Sequence, residues 1–124
     1  MEKANIVRVE ERIFLIERQF GHLVQSLEVL ENYGDYFKIK ITFKDESVLR
    51  MTESWRNDVL LSYSYYWLTG SNELIVGWDN APHHKKVKTF PHHKHLAHQK
   101  TIRLSYETSL EDVMREIEKQ LKDN

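Results

Sequence analysis

Tyr36-Phe37-Lys38-Ile39-Lys40-Ile41-Thr42-Phe43 alternates apolar and polar residues almost without a break. A period of two, carried by β-branched and aromatic side chains, predicts a strand with one face in the core and one in water. The sequence on both sides repeats that signal between turns. Upstream, Leu23 to Leu30 reads either as a continuation of a preceding helix or as a short strand. Leu27-Glu28-Val29 beside the turn signal Asn32-Tyr33-Gly34-Asp35 favours the strand, entering a hairpin. Downstream, Lys44-Asp45-Glu46 makes a polar turn, and Ser47 to Trp55 sets Leu49, Met51 and Trp55 on one side. Arg56-Asn57-Asp58 then turns the chain into Val59 to Leu68. There Leu61, Tyr63, Tyr65 and Trp67 share one face, and Leu60, Ser62, Ser64 and Tyr66 the other. That alternation assigns most of these aromatics to the core and leaves Tyr66 for a site. After Thr69-Gly70-Ser71-Asn72, Glu73 to Asp79 is the last main strand. Short strands joined by short turns make an antiparallel meander the economical topology.

A helix is expected on each side of this sheet. Up to about Phe20, Val9, Ile13, Ile16 and Phe20 recur at helical spacing, with Phe14 and Leu15 widening the apolar face. Glu10, Arg12, Glu17 and Arg18 decorate the other side, and Gly21 is a natural stop. Near the C-terminus, Thr108 followed by Glu111 has capping-box spacing and opens a helix with the stripe Leu110, Val113, Met114, Ile117 and Leu121. Between sheet and helix, Pro82 and Pro91 cannot donate to a ladder, so Asn80 to Lys100 is expected to be mostly loop. Thr101 to Leu104 reads as a last short strand. The expected class is α+β: an antiparallel meander sheet packed by an N-terminal and a C-terminal helix, with a His-rich loop after the last main strand.

With 124 residues the chain suits one domain with one core. It has no cysteine, which removes disulfides, thiolate metal sites and thiol nucleophiles from consideration. No apolar run approaches the ~20 residues needed to cross a bilayer. Met1-Glu2-Lys3-Ala4-Asn5 shows no basic region leading into an apolar core, so no secretory signal is expected and cytoplasmic residence is the default. The net charge of −1 hides a polarity. Between Asp79 and Glu107 no acid occurs, whereas Lys85, Lys86, Lys88, Lys94, Lys100 and Arg103 all do. The sequence sets no oligomeric state.

Five of the seven histidines fall in two blocks, Trp78-Asp79-Asn80-Ala81-Pro82-His83-His84 and Phe90-Pro91-His92-His93-Lys94-His95. Imidazole can both take and give a proton near neutrality, and crowding imidazoles among lysines does little for a core. One reading is acid–base chemistry on RNA without a cofactor or metal, since the 2′-hydroxyl nucleophile belongs to the substrate. His83 or His84 with His93 or His95 would form the base and acid pair, with His92 in the same block. Lys94 would stabilise the phosphorane, and Asp79 or Asn80 would fix a tautomer. Asn80, Lys85, Lys86, Lys88 and Tyr66 are the candidate substrate contacts. A second reading is a metal-dependent hydrolase. His93 and His95 point the same way if extended, His83 or His84 completes a trio, and Asp79 is a fourth ligand, although the lysines oppose a cation. A third is a non-catalytic module that holds nucleic acid or an acidic partner on a basic loop.

The two blocks together resemble those of the TumE-like toxins of prokaryotic toxin–antitoxin systems, most clearly over Tyr63 to about Leu96. The spacer Lys85-Lys86-Val87-Lys88-Thr89 is more basic than in that family, and Tyr66 stands where relatives often have a histidine. The resemblance implies a small cytoplasmic toxin that cleaves RNA and is neutralised by a cognate DNA-binding antitoxin.

Overall fold

In the computed structural model, residues 8–97 and 102–122 are described. Helix α1 spans Arg8–Phe20 and leads through a 3₁₀ turn, Gly21–Leu23, into seven strands. These are β1 (Val24–Asn32), β2 (Tyr36–Phe43), β3 (Val48–Arg56), β4 (Val59–Leu68), β5 (Leu74–Asp79), β6 (His93–Leu96) and β7 (Ile102–Leu104), followed by helix α2 (Leu110–Lys122). The strands form one sheet in sequence order, each antiparallel to its neighbour, so the expected α+β meander with a helix at each end is the fold adopted. No helix among the described residues is long and apolar enough to cross a membrane.

One face of the sheet carries the core. Phe37, Ile39, Ile41 and Phe43 of β2 are fully buried with Leu49, Met51, Tyr65, Trp67 and Trp78. Val9, Ile16 and Phe20 of α1 and Leu110, Val113, Met114 and Ile117 of α2 join the same cluster. The tyrosines of this face are therefore core residues, as alternation predicts. The opposite, open face is polar. Its rungs are read from the register: Lys38, Thr52, Ser64, Asp79, His93 and Leu104 on one, and Lys40, Arg50, Tyr66, Gly77, His95 and Ile102 on another.

The Leu23 to Leu30 segment is strand from Val24, as favoured, and runs on to Asn32, with Leu23 closing the 3₁₀ turn. Several other expectations need correction. Phe14 does not widen the apolar face of α1; it is 61% exposed. Arg12, placed by periodicity on the polar side, is instead buried against Glu53 of β3, with Nε–Oε1 and Nη2–Oε2 distances of 2.9 and 3.0 Å. Tyr65 Oη and Trp55 Nε1 donate to the same carboxylate at 2.6 and 3.1 Å, so this buried charge has four fixed donors. Leu61 leaves the core face because a register shift opposite Ser54/Trp55 puts an extra residue into β4. The C-terminal helix is capped one residue later than Thr108: Ser109 Oγ accepts the Asp112 N–H at 3.2 Å, and Asp112 Oδ2 accepts the Thr108 N–H at 3.2 Å.

The main correction lies in the histidine segment. Asn80 to His92 is loop, as expected, but His93–Leu96 pairs with Val76–Asp79 and becomes β6, and the expected last short strand follows beside it as β7. Pro91 ends just before the pairing starts, so proline does not oppose the ladder. Residues 98–101, with Thr101 of the expected last strand, lie outside the described residues.

Candidate functional site

The strand status of His93–Leu96 sorts the second histidine block by parity. His93 and His95 project to the open face with their rung partners Asp79 and Gly77, while Lys94 projects with Trp78 toward the helices. There Lys94 Nζ and Trp78 Nε1 both donate to Glu107 Oε1, each at 3.0 Å. Lys94 is thus engaged behind the sheet, away from the phosphate-stabilising position proposed from sequence. His92 lies before the strand and faces the core side, where its Nδ1 is 2.8 Å from Tyr63 Oη. Burial, and then the charge of His93, holds the His92 imidazole below its usual pKa.

Asp79 is the hub of the open face. It is buried, and its Oδ1 accepts the Ala81 N–H at 2.9 Å and lies 2.9 Å from His93 Nε2. Its Oδ2 lies 3.2 Å from His95 Nε2 and accepts from Tyr66 Oη at 3.1 Å. His84 closes the cluster from the loop: its ring centroid is 4.8 Å from that of His93 and 6.0 Å from that of His95. One ring nitrogen each of His84, His93 and His95 lie within 4.8 Å of one another. Of the trio, His93 is only 2% exposed, whereas His84 and His95 are open to solvent in part. Partial desolvation, followed by the neighbouring His93 and His95, lowers the His84 pKa.

The loop that presents His84 is tied down at both ends. Asn80 Oδ1 accepts the Tyr63 N–H at 2.9 Å, and its Nδ2 donates to Leu61 O at 3.1 Å, bridging the bulged end of β4. Asn80 is thus occupied with backbone. At the far end, Thr89 Oγ1 donates to His92 O at 2.7 Å and accepts the Ser105 N–H at 2.8 Å. Between them Lys85, Lys86 and Lys88 are exposed, as is His83.

Two residues that matter here were not singled out from the sequence. Gly77 is one: a Cβ on it would meet the Tyr66 ring carbons at 2.1 Å, so only glycine lets that ring lie flat across β5 and reach Asp79. A glycine inside the apolar run Leu74-Ile75-Val76-Gly77-Trp78 is the available signal, since it marks a close approach. Burial, and then the charge of Asp79, pushes the Tyr66 hydroxyl up to about 12, so it remains a donor to the carboxylate. Arg50 is the other: it is exposed on the Tyr66 rung. Tyr66 separates two clefts. One of about 390 Å³ is lined by Thr52, Ser64, Asp79, His83 and His93, and one of about 440 Å³ by Arg50, Leu68, Asn72 and His95.

Fold and site together define a small α+β domain carrying a histidine–carboxylate centre on the face of an antiparallel sheet opposite the helices. A family model described as Toxin TumE matches residues 12–121, and the chain belongs to that toxin family. Comparison with curated proteins and with solved structures gave no match.

Proposed function

We propose that this toxin cleaves RNA at the open-face centre and is silenced by a cognate DNA-binding antitoxin. The observation that carries the reading is the convergence of the partly exposed imidazoles His84 and His95 beside the cleft lined by Arg50, with His83 on the adjoining cleft. Transesterification of RNA needs three services: a group that takes the 2′-hydroxyl proton, one that gives a proton to the departing 5′-oxygen, and positive charge at the phosphorane. The reaction leaves a 2′,3′-cyclic phosphate and a free 5′-hydroxyl. Imidazoles among His83, His84 and His95 would make the proton transfers, and buried His93 would position Asp79 rather than meet the substrate. Arg50 and Tyr66 offer the clefts a cation and a ring for the substrate strand. End-group analysis of RNA exposed to the purified toxin is the test. Cyclic phosphate ends are expected; RNA binding that is salt-sensitive but leaves every strand intact would replace this reading with a non-catalytic module.

The exposed Lys85, Lys86 and Lys88 form the antitoxin-facing part of the proposal, because an acidic partner surface is steered by such charges. Substituting all three with glutamine is expected to slow association with the antitoxin and flatten its salt dependence. An unchanged rate and slope would move the contact elsewhere, such as to the helices.

A further inference from the structure

We infer that His84, His93, His95 and Asp79 form a binding site for one divalent first-row transition-metal ion of the zinc type. His93 Nδ1 lies 2.9 Å from Pro91 O, a carbonyl that can only accept, so Nδ1 carries a proton and Nε2 is the ring atom turned to the centre. That Nε2 lies 2.9 Å from Asp79 Oδ1, a spacing that a shared proton or a shared metal ion can each produce, and the rest of the cluster decides between them. The same carboxylate turns its other oxygen to His95 Nε2 at 3.2 Å. His84 approaches from the loop, so that ring nitrogens of three imidazoles lie within 4.8 Å of one another, with Asp79 in contact with two of them.

The spacing suits an ion. Ligands ~2.1 Å from a tetrahedral metal lie roughly 3.4 Å from one another. The Asp79–His93 and Asp79–His95 separations of 2.9 and 3.2 Å are close to that, and the 4.8 Å bound on the histidine trio closes with a modest turn of the partly exposed rings. The outer contacts also have the form a metal site requires. His93 donates its second nitrogen to a carbonyl, and Asp79 accepts from Tyr66 Oη and the Ala81 N–H, which fixes the orientation of both ligands. The lysines that argue against a cation in the sequence do not crowd it: Lys94 is turned behind the sheet to Glu107, and Lys85, Lys86 and Lys88 are solvated. A nitrogen-rich set with one oxygen selects zinc, cobalt or a neighbouring ion over magnesium, which prefers octahedral oxygen. A cation held here would supply the positive charge that Lys94 does not bring and would engage the lone pairs of His84 and His95, taking those two rings out of proton transfer. His83, which is outside the ligand set but lines the cleft beside Asp79, stays free to move a proton.

The inference concerns binding and stands whether or not RNA is the substrate. The test is equilibrium dialysis of the chelator-stripped full chain against cobalt(II), with visible absorption as the geometric readout and zinc(II) as competitor. One cobalt per chain with tetrahedral d–d bands is expected, displaced by zinc and not by magnesium, together with a higher unfolding midpoint in zinc. His84→Ala and His95→Ala should each weaken uptake by at least about tenfold, and His22→Ala should leave it unchanged. His84 is on a loop, so its variant reports even if the change in β6 disturbs folding. Absence of cobalt uptake, or uptake unaffected by His84→Ala and His95→Ala, would overturn the inference and leave the imidazoles to acid–base work alone. Cobalt bound as described by a protein that leaves RNA intact would uphold it while removing the RNA reading.

Discussion

Glu53 and Asp79 are both buried carboxylates, and they lie on opposite faces of the same sheet. Glu53, on the helix side, is surrounded by donors that do not change state: the Arg12 guanidinium, the Tyr65 hydroxyl and the Trp55 indole N–H. Asp79, on the open side, has two permanent donors, Tyr66 Oη and the Ala81 N–H, and two imidazoles whose nitrogens can carry a proton or a lone pair. The first arrangement fixes α1 to the sheet. The second keeps a charge poised beside groups that can exchange a cation. One buried acid serves the fold, and the other is the one proposed to serve chemistry.

The largest effect should come from breaking the Glu53 side. Arg12→Met leaves a charge buried without its partner and is expected to lose about 3–5 kcal/mol of stability, read by urea unfolding. The double change Arg12→Met with Glu53→Met should recover most of it, because the unpaired charge is then gone. A loss under about 1 kcal/mol for the single change would dissolve the contrast between the two acids.

On the Asp79 side the expected effect is on rate rather than fold. Tyr66→Phe removes one donor to the carboxylate, which is worth about 1 kcal/mol of stability. As an outer contact to the centre it should lower RNA cleavage about 10–100-fold. Gly77→Ala should do the same by lifting the Tyr66 ring off β5. Wild-type cleavage by Gly77→Ala would mean that the ring's position is immaterial.

Lys94→Met should do least. Its partly buried pair with Glu107 is worth at most about 1 kcal/mol, and cleavage should be unchanged because the side chain points behind the sheet. A large loss of cleavage with the fold intact would return Lys94 to the site.

The sheet was legible because alternation such as that of Tyr36–Phe43 reports directly which side chains meet the core. The composition of the centre was largely legible too: His93 and His95 two apart, His84 and Asp79 in the other block, and Tyr66 on the non-core face of its strand. What could not be read was which members of each block belong together. That depends on β6 pairing with β5, and two prolines in a basic, polar segment weigh toward loop. Once β6 forms, parity alone sends Lys94 one way and His93 and His95 the other. Arg12 and Glu53 escaped notice for a related reason. Periodicity assigns faces by hydrophobicity, and a buried ion pair carries the wrong sign at both ends. Glu107 is distant in sequence from the strand it serves, and nothing local marks it as the partner of Lys94 and Trp78.

The most direct measurement compares two histidines of one block, His92 and His95, as single alanine variants assayed for RNA cleavage and for growth arrest, with circular dichroism to verify the fold. His95→Ala is expected to abolish both activities while remaining folded. His92→Ala, which loses only the Tyr63 contact, is expected to keep cleavage and to lose about 1 kcal/mol of stability. Full cleavage by His95→Ala, or its loss in a well-folded His92→Ala, would contradict the placement of the chemistry on the open face.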